Sequence, residues 1–413
     1  MPSITPFKSI RPEPSVADRV AALPYDVYNR KEACQAVAAE PLSFLKIDRA
    51  ETQFPDTVNT YDDRVYQKAS ELLLAMIADG TFIIEEKPCY YIYELTMAGR
   101  SQTGIVACSD IDDYQNGMIK KHENTREDKE LDRICHVDVT NAHTGPIFLI
   151  YRSDDALTKI VTQIKTGRPV YDFTSDDAIT HKVWVVDGDT HIAGISTAFS
   201  RIPCTYIADG HHRCASAVKV GLKRRQENPA HTGREEYNRF LSVLFPHDQM
   251  YIMPYNRVIK DLNGLTREQF ISRVTAGGFT VSYVGNTPVS PAGKGCFGMY
   301  LADGWYTLKM DHTFLSGDPV ADLDVSLLQD HLLHPILGVE DPRTDGRIDF
   351  VGGIRGLAEL EKRVKEDMAV AFSMYPTSIE ELLQVADAGL LMPPKSTWFE
   401  PKLRSGLFIH SLT

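Results

Sequence analysis

No run of about 18 consecutive apolar residues occurs in the 413 residues of this chain, so no membrane span is expected, and no membrane partner. The opening residues Met1-Pro2-Ser3-Ile4-Thr5-Pro6-Phe7-Lys8 lack the apolar region of a secretory signal. There is no Cys-x-x-Cys pair. The seven cysteines (Cys34, Cys89, Cys108, Cys135, Cys204, Cys214, Cys296) are odd in number and widely spaced. That excludes a zinc site built on cysteine pairs and fits reduced thiols in a cytoplasmic protein. There is also no long basic tract. Lys and Arg total 44 against 56 Asp and Glu, a net charge of −12. Such a balance counts against nucleic acid as a partner, because phosphate backbones are held by clustered cations. The richest basic stretch, Lys219 to Arg225, is short and reads as a solvated helix end.

The familiar nucleotide and hydrolase motifs are missing as well. Gly293-Lys294 is followed by Gly295, so no Walker A loop exists. Gly352-Gly353-Ile354-Arg355-Gly356 lacks the dinucleotide-binding spacing, and there is no Gly-x-Ser-x-Gly elbow. His122-Glu123 has Arg at position 126, so it is not a His-Glu-x-x-His metalloprotease helix. No internal repeat or low-complexity segment is present.

What the chain does have is Asp209-Gly210-His211-His212-Arg213, between an apolar lead-in (Tyr206-Ile207-Ala208) and a helical pattern starting near Cys214. A strand-to-helix corner offers free N–H groups and the positive end of a helix dipole, which suit an anion. Arg213 can clamp phosphate bidentately. Taken alone, Asp-Gly is also an ordinary turn. With the P-loop absent, this corner leads as a phosphate site.

Three further clusters could share its chemistry. The first is Lys121-His122-Glu123, where His and Glu can act as proton acceptor and orienter, followed by Asp132-Arg133 at the start of a helix towards Val137. The second is His143-Thr144-Gly145-Pro146, a polar turn before an apolar strand. The third runs from Met392 to Leu407. There Lys395 and Lys402 could neutralise phosphate, Ser396 and Thr397 could donate to it, and Trp398 could wall a pocket.

Periodicity predicts an extended Leu23–Tyr28 segment and an Asn29-capped helix. It also predicts a helix over 61–78 and a hairpin turning at Ala98-Gly99-Arg100. Strands are expected at 146–151, 181–186 and 205–208, and a small hairpin at 297–301 and 306–310. Helices are expected at 154–166, 192–200 and 323–332, and a capping box at Thr377-Ser378-Ile379-Glu380. Strands and helices without regular alternation point to α+β.

Pro24-Tyr25-Asp26-Val27, His122-Glu123-x-Thr125 with Asp132-Arg133, Asp209-Gly210-His211-His212-Arg213, and Pro394-Lys395-Ser396-Thr397-Trp398-Phe399-x-Pro401-Lys402 occur in this order. Together they resemble the bacterial and archaeal domain-of-unknown-function 1015 family over essentially the whole chain. The Asp-Gly-His-x-Arg corner is in addition similar to that of the ParB/sulfiredoxin-like superfamily. That superfamily includes free L-serine kinases, whose motif is Asp-Gly-His-Thr-Arg. This chain has His212 where they have threonine.

The resemblance implies an α+β fold of mixed sheets with a ParB/sulfiredoxin-like core and additional α/β elements. Its parts would be residues 1–85 (helical, turn-rich), 86–230 (the core with the corner) and 231–413 (completing the site). It implies a small-molecule phosphotransferase moving phosphate from ATP, ADP or pyrophosphate to a hydroxyl, with free L-serine as the best guess. Asp209 would hold Mg²⁺. Gly210, His211, His212, Arg213, Lys395, Ser396, Thr397 and Lys402 would hold the donor. Tyr25, Arg133, His143 and Trp398 would face the substrate. The kinases use an N-terminal glutamate as base, and Asp26 and Glu123, with His122 beside it, are the rival counterparts. Two alternatives stay open: a nucleotide-binding ParB-like regulator, and a metal-dependent hydrolase using His122, Glu123, His143, His211 and His212.

Overall fold

The computed structural model describes all 413 residues apart from the side chain of His312. It divides into two compact units, Met1–Met250 with Pro401–Thr413, and Tyr251–Glu400. The fold is α+β, with mixed sheets and helices throughout. Among the described residues no helix is long and apolar enough to cross a membrane.

The first unit is built on a nine-stranded sheet. Its order is Ile119–Lys120, Thr205–Asp209, Ile147–Tyr151, Arg239–Pro246, Arg100–Asp110, Tyr90–Met97, Thr180–Val186, Tyr171–Thr174, with Ile4–Thr5 also against Arg100–Asp110. Two of its pairings are parallel, Thr205–Asp209 with Ile119–Lys120 and Arg239–Pro246 with Ile147–Tyr151. The central strands are aliphatic and aromatic on both sides, as expected where both faces are covered. One face packs Ile92, Ile105, Leu149 and Ile207 against Leu157, Ile195, Phe199 and Val218 from helices. On the other, Tyr91 and Tyr93 pack on Phe408. A second core gathers Phe44, Ile47, Val65, Leu73 and Met76 beneath a four-stranded antiparallel sheet of Phe82–Ile84, Ser9–Pro12, Ile409–Ser411 and Ala142–His143.

Two helices carry the chemistry-bearing residues of this unit, Glu127–Thr140 and His211–Glu227. The second buries a face of small side chains (Cys214, Ala215, Ala217, Gly221), which lets neighbouring backbone approach closely. A Cβ on Gly221 would run into the Tyr237 carbonyl and lie 2.7 Å from Ile111 Cδ1. Ser216 Oγ donates to the Glu130 carbonyl (3.0 Å), fastening the first helix along the second.

The second unit holds a six-stranded antiparallel sheet, Phe279–Gly285, Gly304–Met310, Cys296–Leu301, Val370–Ser373, Tyr255–Ile259, Ile348–Gly352. Its core centres on Val258, Trp305, Leu360 and Ala371.

Most expected elements are present: the capping box of Asn29 with Glu32, the hairpin with Ala98 and Gly99 at positive φ, and the helix Asp63–Ala78. Several expectations need correction. Tyr25–Val27 is a 3-10 turn, not an extended segment, because Pro24 restrains itself and Leu23 but not the residues after it. Asp132 and Arg133 lie inside the helix Glu127–Thr140 and do not start it, since the acidic residues Glu127, Asp128 and Glu130 fill its first turn. The strand Phe279–Gly285 is unexpected; six of its seven residues are at least partly exposed, so its apolar signal is weak. The Lys219–Arg225 run belongs to the helix His211–Glu227 and is not merely solvated: Lys219, Lys223, Arg224 and Arg225 pair with Glu130, Asp138 and Asp112.

Gly221→Ala tests the helix packing. Helix propensity favours Ala by about 1 kcal/mol. Overpacking against the Tyr237 carbonyl and Ile111 costs about 1–3 kcal/mol. The expected outcome is a lower urea midpoint with an unchanged m-value; a raised midpoint would show that the contact gives way freely.

Candidate functional site

The strand Thr205–Asp209 runs inward with four buried residues, and its pairing with Ile147–Tyr151 slips between Ile207 and Asp209. Such a bulge re-aims the following side chain. Gly210 then turns with φ +89°, a region that suits glycine. A Cβ there would lie 3.0 Å from Arg213 Nη2, so the guanidinium folds over the turn. The helix begins at His211 with no side-chain cap, and its first N–H groups stay available.

Asp209 is the meeting point. Arg213 Nη2 and Lys402 Nζ both lie 3.6 Å from its Oδ2. Burial pushes the carboxyl up, but Lys402, Arg213, His211 and the Gly210 N–H outweigh it and hold it down at about 2. Arg213 also donates to the Pro146 carbonyl (2.6 Å), which ties the corner to the His143–Pro146 turn.

Behind His211 lies His122. The rings meet edge to face, 4.6 Å between centroids. Burial pushes His122 down to about 4 and His211 well below its ordinary value, so both imidazoles are neutral near pH 7. Glu123 stands beside them. His212 points elsewhere: its Nε2 accepts the Arg126 backbone N–H (3.0 Å), holding the 121–126 loop to the helix. Its part in the structure is accounted for by that bond.

Two cavities adjoin in this unit. One, narrow at about 30 Å³, is lined by Tyr25, Asp48, Arg133, His143 and Arg213. A second, of about 280 Å³, is lined by Tyr25, Asp26, Asp48, Arg49, Lys129 and Arg133. Tyr25 and Arg133 wall both, with the guanidinium 4.0 Å from the ring centroid. Arg133 is buried and pairs with Asp132 at 2.8 Å, which in turn accepts from the Tyr66 hydroxyl (3.0 Å). Burial pushes the Tyr25 phenol up to about 12, so it stays protonated. His143 Nδ1 lies 3.3 Å from His410 Nδ1, and His410 Nε2 lies 2.8 Å from Glu236 Oε2. His143 Nε2 has no hydrogen-bond partner.

In the first unit the fold therefore assembles Tyr25, Asp26, His122, Glu123, Arg133, His143, Asp209, Gly210, His211, Arg213 and Lys402 around one corner and two cavities. Lys395, Ser396, Thr397 and Trp398 belong to the second unit, where local partners engage Lys395, Ser396 and Trp398. Ser396 Oγ donates to the Pro393 carbonyl (2.6 Å) and the Ser396 carbonyl accepts from Thr377 (2.9 Å). Trp398 Nε1 donates to Glu400 (2.7 Å), and Lys395 stands over the Tyr255 ring at 5.5 Å. Sequence reasoning missed Asp48, Arg49, Glu236 and His410. Asp48 accepts from Thr144 (2.9 Å), and no local motif announces any of the four.

The family model described as "Protein of unknown function (DUF1015)" matches residues 4–326. The chain belongs to this family. The match includes Tyr25–Asp26, His122–Glu123 and the Asp209 corner, and ends before Lys395. No curated protein matches. Among solved structures the chain is similar to free serine kinase in complex with AMP, at 16% identity, over 74% of this chain and 91% of that one, with a TM-score of 0.36. It is similar to a variant of free serine kinase in complex with ADP at 15% identity, over 74% and 92%, with a TM-score of 0.36. SbnI with a C-terminal truncation, from Staphylococcus aureus, is 10% identical over 74% and 87%, with a TM-score of 0.39.

The depressed Asp209 carboxyl carries a signed expectation. Its pairing stabilises the fold fully above about pH 4 and is lost as the pH falls towards 2. The gap in thermal midpoint between the wild type and Asp209→Asn should hold steady from neutral pH to about pH 5 and then narrow. A gap that stays constant into the acid limb would contradict the pairing.

Proposed function

We propose that this protein is a small-molecule phosphotransferase that moves a phosphoryl group from ATP, ADP or pyrophosphate to a hydroxyl acceptor, with free L-serine as the leading acceptor. One observation carries the reading. The uncapped start of the 17-residue helix His211–Glu227 coincides with the place where Arg213 and Lys402 converge on Asp209, and Arg213 continues into the wall of the cavity lined by Tyr25, Arg133 and His143. Phosphoryl transfer asks chiefly for positioning and for charge neutralisation, and both are supplied by such an arrangement.

In this reading, residues 86–230 carry the ParB/sulfiredoxin-like donor corner. The amides at the start of the helix from His211 on, Arg213 and Lys402 hold the donor phosphates. The acceptor occupies the larger cavity beside Tyr25 and Arg133, with His143 in the wall of the narrow one. Asp26, on the 3-10 turn and lining the larger cavity, takes the hydroxyl proton. The acceptor oxygen forms a bond to the terminal phosphorus, the bond from that phosphorus to its bridging oxygen breaks, and the leaving phosphate keeps the electron pair next to the corner cations. Mg²⁺ takes about six oxygen ligands. Asp209 offers one carboxylate already facing two cations, so the ion would come mainly with the donor's phosphates, Asp209 adding a ligand directly or through water. Bound there, it would neutralise phosphate charge.

The test is incubation of purified protein with Mg²⁺, L-serine and each donor in turn, with O-phosphoserine read by mass spectrometry. Product with one donor is expected. Its absence with all three, in protein shown to be folded, would overturn the acceptor. Arg213→Lys should lower kcat/KM about 100-fold, or ~2.7 kcal/mol, through loss of the two-pronged clamp. Asp209→Ala retaining full activity would overturn the site.

A further inference from the structure

His122, Glu123 and His211 come from two segments, the stretch after the strand Ile119–Lys120 and the first residue of the corner helix. One ligating atom from each lies within 4.8 Å of those from the other two. His122 is 1% exposed and His211 6%. Neither ring nitrogen of His122 makes a hydrogen bond of normal geometry, the Ile207 backbone being its nearest polar contact, and His211 Nε2 makes none. A buried polar atom left unpaired costs about 1–3 kcal/mol, and a neutral imidazole has both a donor and an acceptor to satisfy. Packing two such rings edge to face, with three of their four nitrogens lacking a well-formed hydrogen bond, is difficult to account for by stability alone. It is accounted for if the lone pairs face a ligand that accepts them.

We propose that His122, Glu123 and His211 form a binding site for a divalent transition-metal ion of the zinc class. Two imidazole nitrogens and one carboxylate oxygen are the donors of an open, three-ligand zinc-type site, and they are too rich in nitrogen for Mg²⁺ or Ca²⁺. Bonds of about 2.1 Å at tetrahedral angles set ligand atoms roughly 3.4 Å apart, so the three side chains need to close by at most about 1.4 Å. Ring and carboxylate rotations of that size are within reach of these side chains. Asp209, on the strand side of the same corner, adds negative charge that favours a cation there, while Lys121 and His212 oppose it. The ion would sit behind the donor corner and fix His211, the residue that opens the helix. The site stands on its own residues and does not depend on the phosphotransferase reading.

The full-length protein, stripped with chelator and dialysed, is titrated with Zn²⁺ by calorimetry and with Co²⁺ by visible absorption. One ion per chain, a raised thermal midpoint, and a Co²⁺ spectrum of low coordination number without thiolate charge transfer are expected. Affinity should fall at least tenfold in His122→Asn and His211→Asn and be unchanged in His334→Asn, an exposed control. A thiolate band, or one ion per chain with unchanged affinity in a folded His122→Asn/His211→Asn double variant, would overturn the site. If those variants do not fold, the Co²⁺-loaded wild type decides by NMR: two hyperfine-shifted imidazole N–H signals support the site, and their absence overturns it. No Zn²⁺ or Co²⁺ uptake by the wild type also overturns it.

Discussion

The Asp209 carboxylate is the constraint around which the first unit is arranged. It ends a buried strand, and two cations reach it, Arg213 from four residues on and Lys402 from nearly two hundred. A carboxylate in such surroundings needs partners, because desolvation of an unpaired charge costs several kcal/mol. Satisfying it fixes the path of the C-terminal segment against the corner. It also turns the Arg213 guanidinium over Gly210, from where the same side chain holds the Pro146 carbonyl. One charge thus sets the positions of a strand end, a helix start, a polar turn and a chain terminus.

The neighbouring elements are placed by packing. The small face of the helix His211–Glu227 admits the helix Glu127–Thr140, and Ser216 fastens the two together at Glu130. That contact decides where Arg133 lies. Buried against Tyr25 and paired with Asp132, it walls both cavities. The Tyr25–Val27 turn in turn brings Asp26 to the larger cavity. Preorganisation of this kind, in which each polar side chain is held by a second contact, is what a site needs if charge is to be met without reorganisation.

Much of this is legible locally. Alternating aromatic and β-branched residues announce the hairpin Tyr90–Asp110, the Asn29 and Ser378 caps announce their helices, and the Asp-Gly pair announces the corner. The second capping box lies one residue later than the Thr377–Glu380 spacing suggests, since Ser378 is the cap and Glu381, not Glu380, returns to it. Other features are hidden for physical reasons. The strand Phe279–Gly285 is half exposed and has little apolar pattern. The 3-10 turn at Tyr25 comes after a proline whose restraint ends at itself. Asp132-Arg133 looks like a helix start because the charged stretch before it masks the true first turn.

By itself the sequence determined that the chain is globular, that its elements mix strands and helices irregularly, and that residues 209–213 form a strand-to-helix corner with glycine at the turn. These features arise from periodicity, from turn chemistry and from steric limits on φ, all of which act over a few residues. Only the tertiary structure decided which distant residues share that corner. Lys402, His122, Arg133, Asp48, and the chain from Glu236 through His410 to His143 are separated by tens to hundreds of residues. They are brought together by burial and charge pairing, which depend on the whole core. Tertiary structure also distinguished His212, whose ring holds the Arg126 backbone, from His211, whose Nε2 is left unmatched beside His122, although in the sequence the two are adjacent and identical in type.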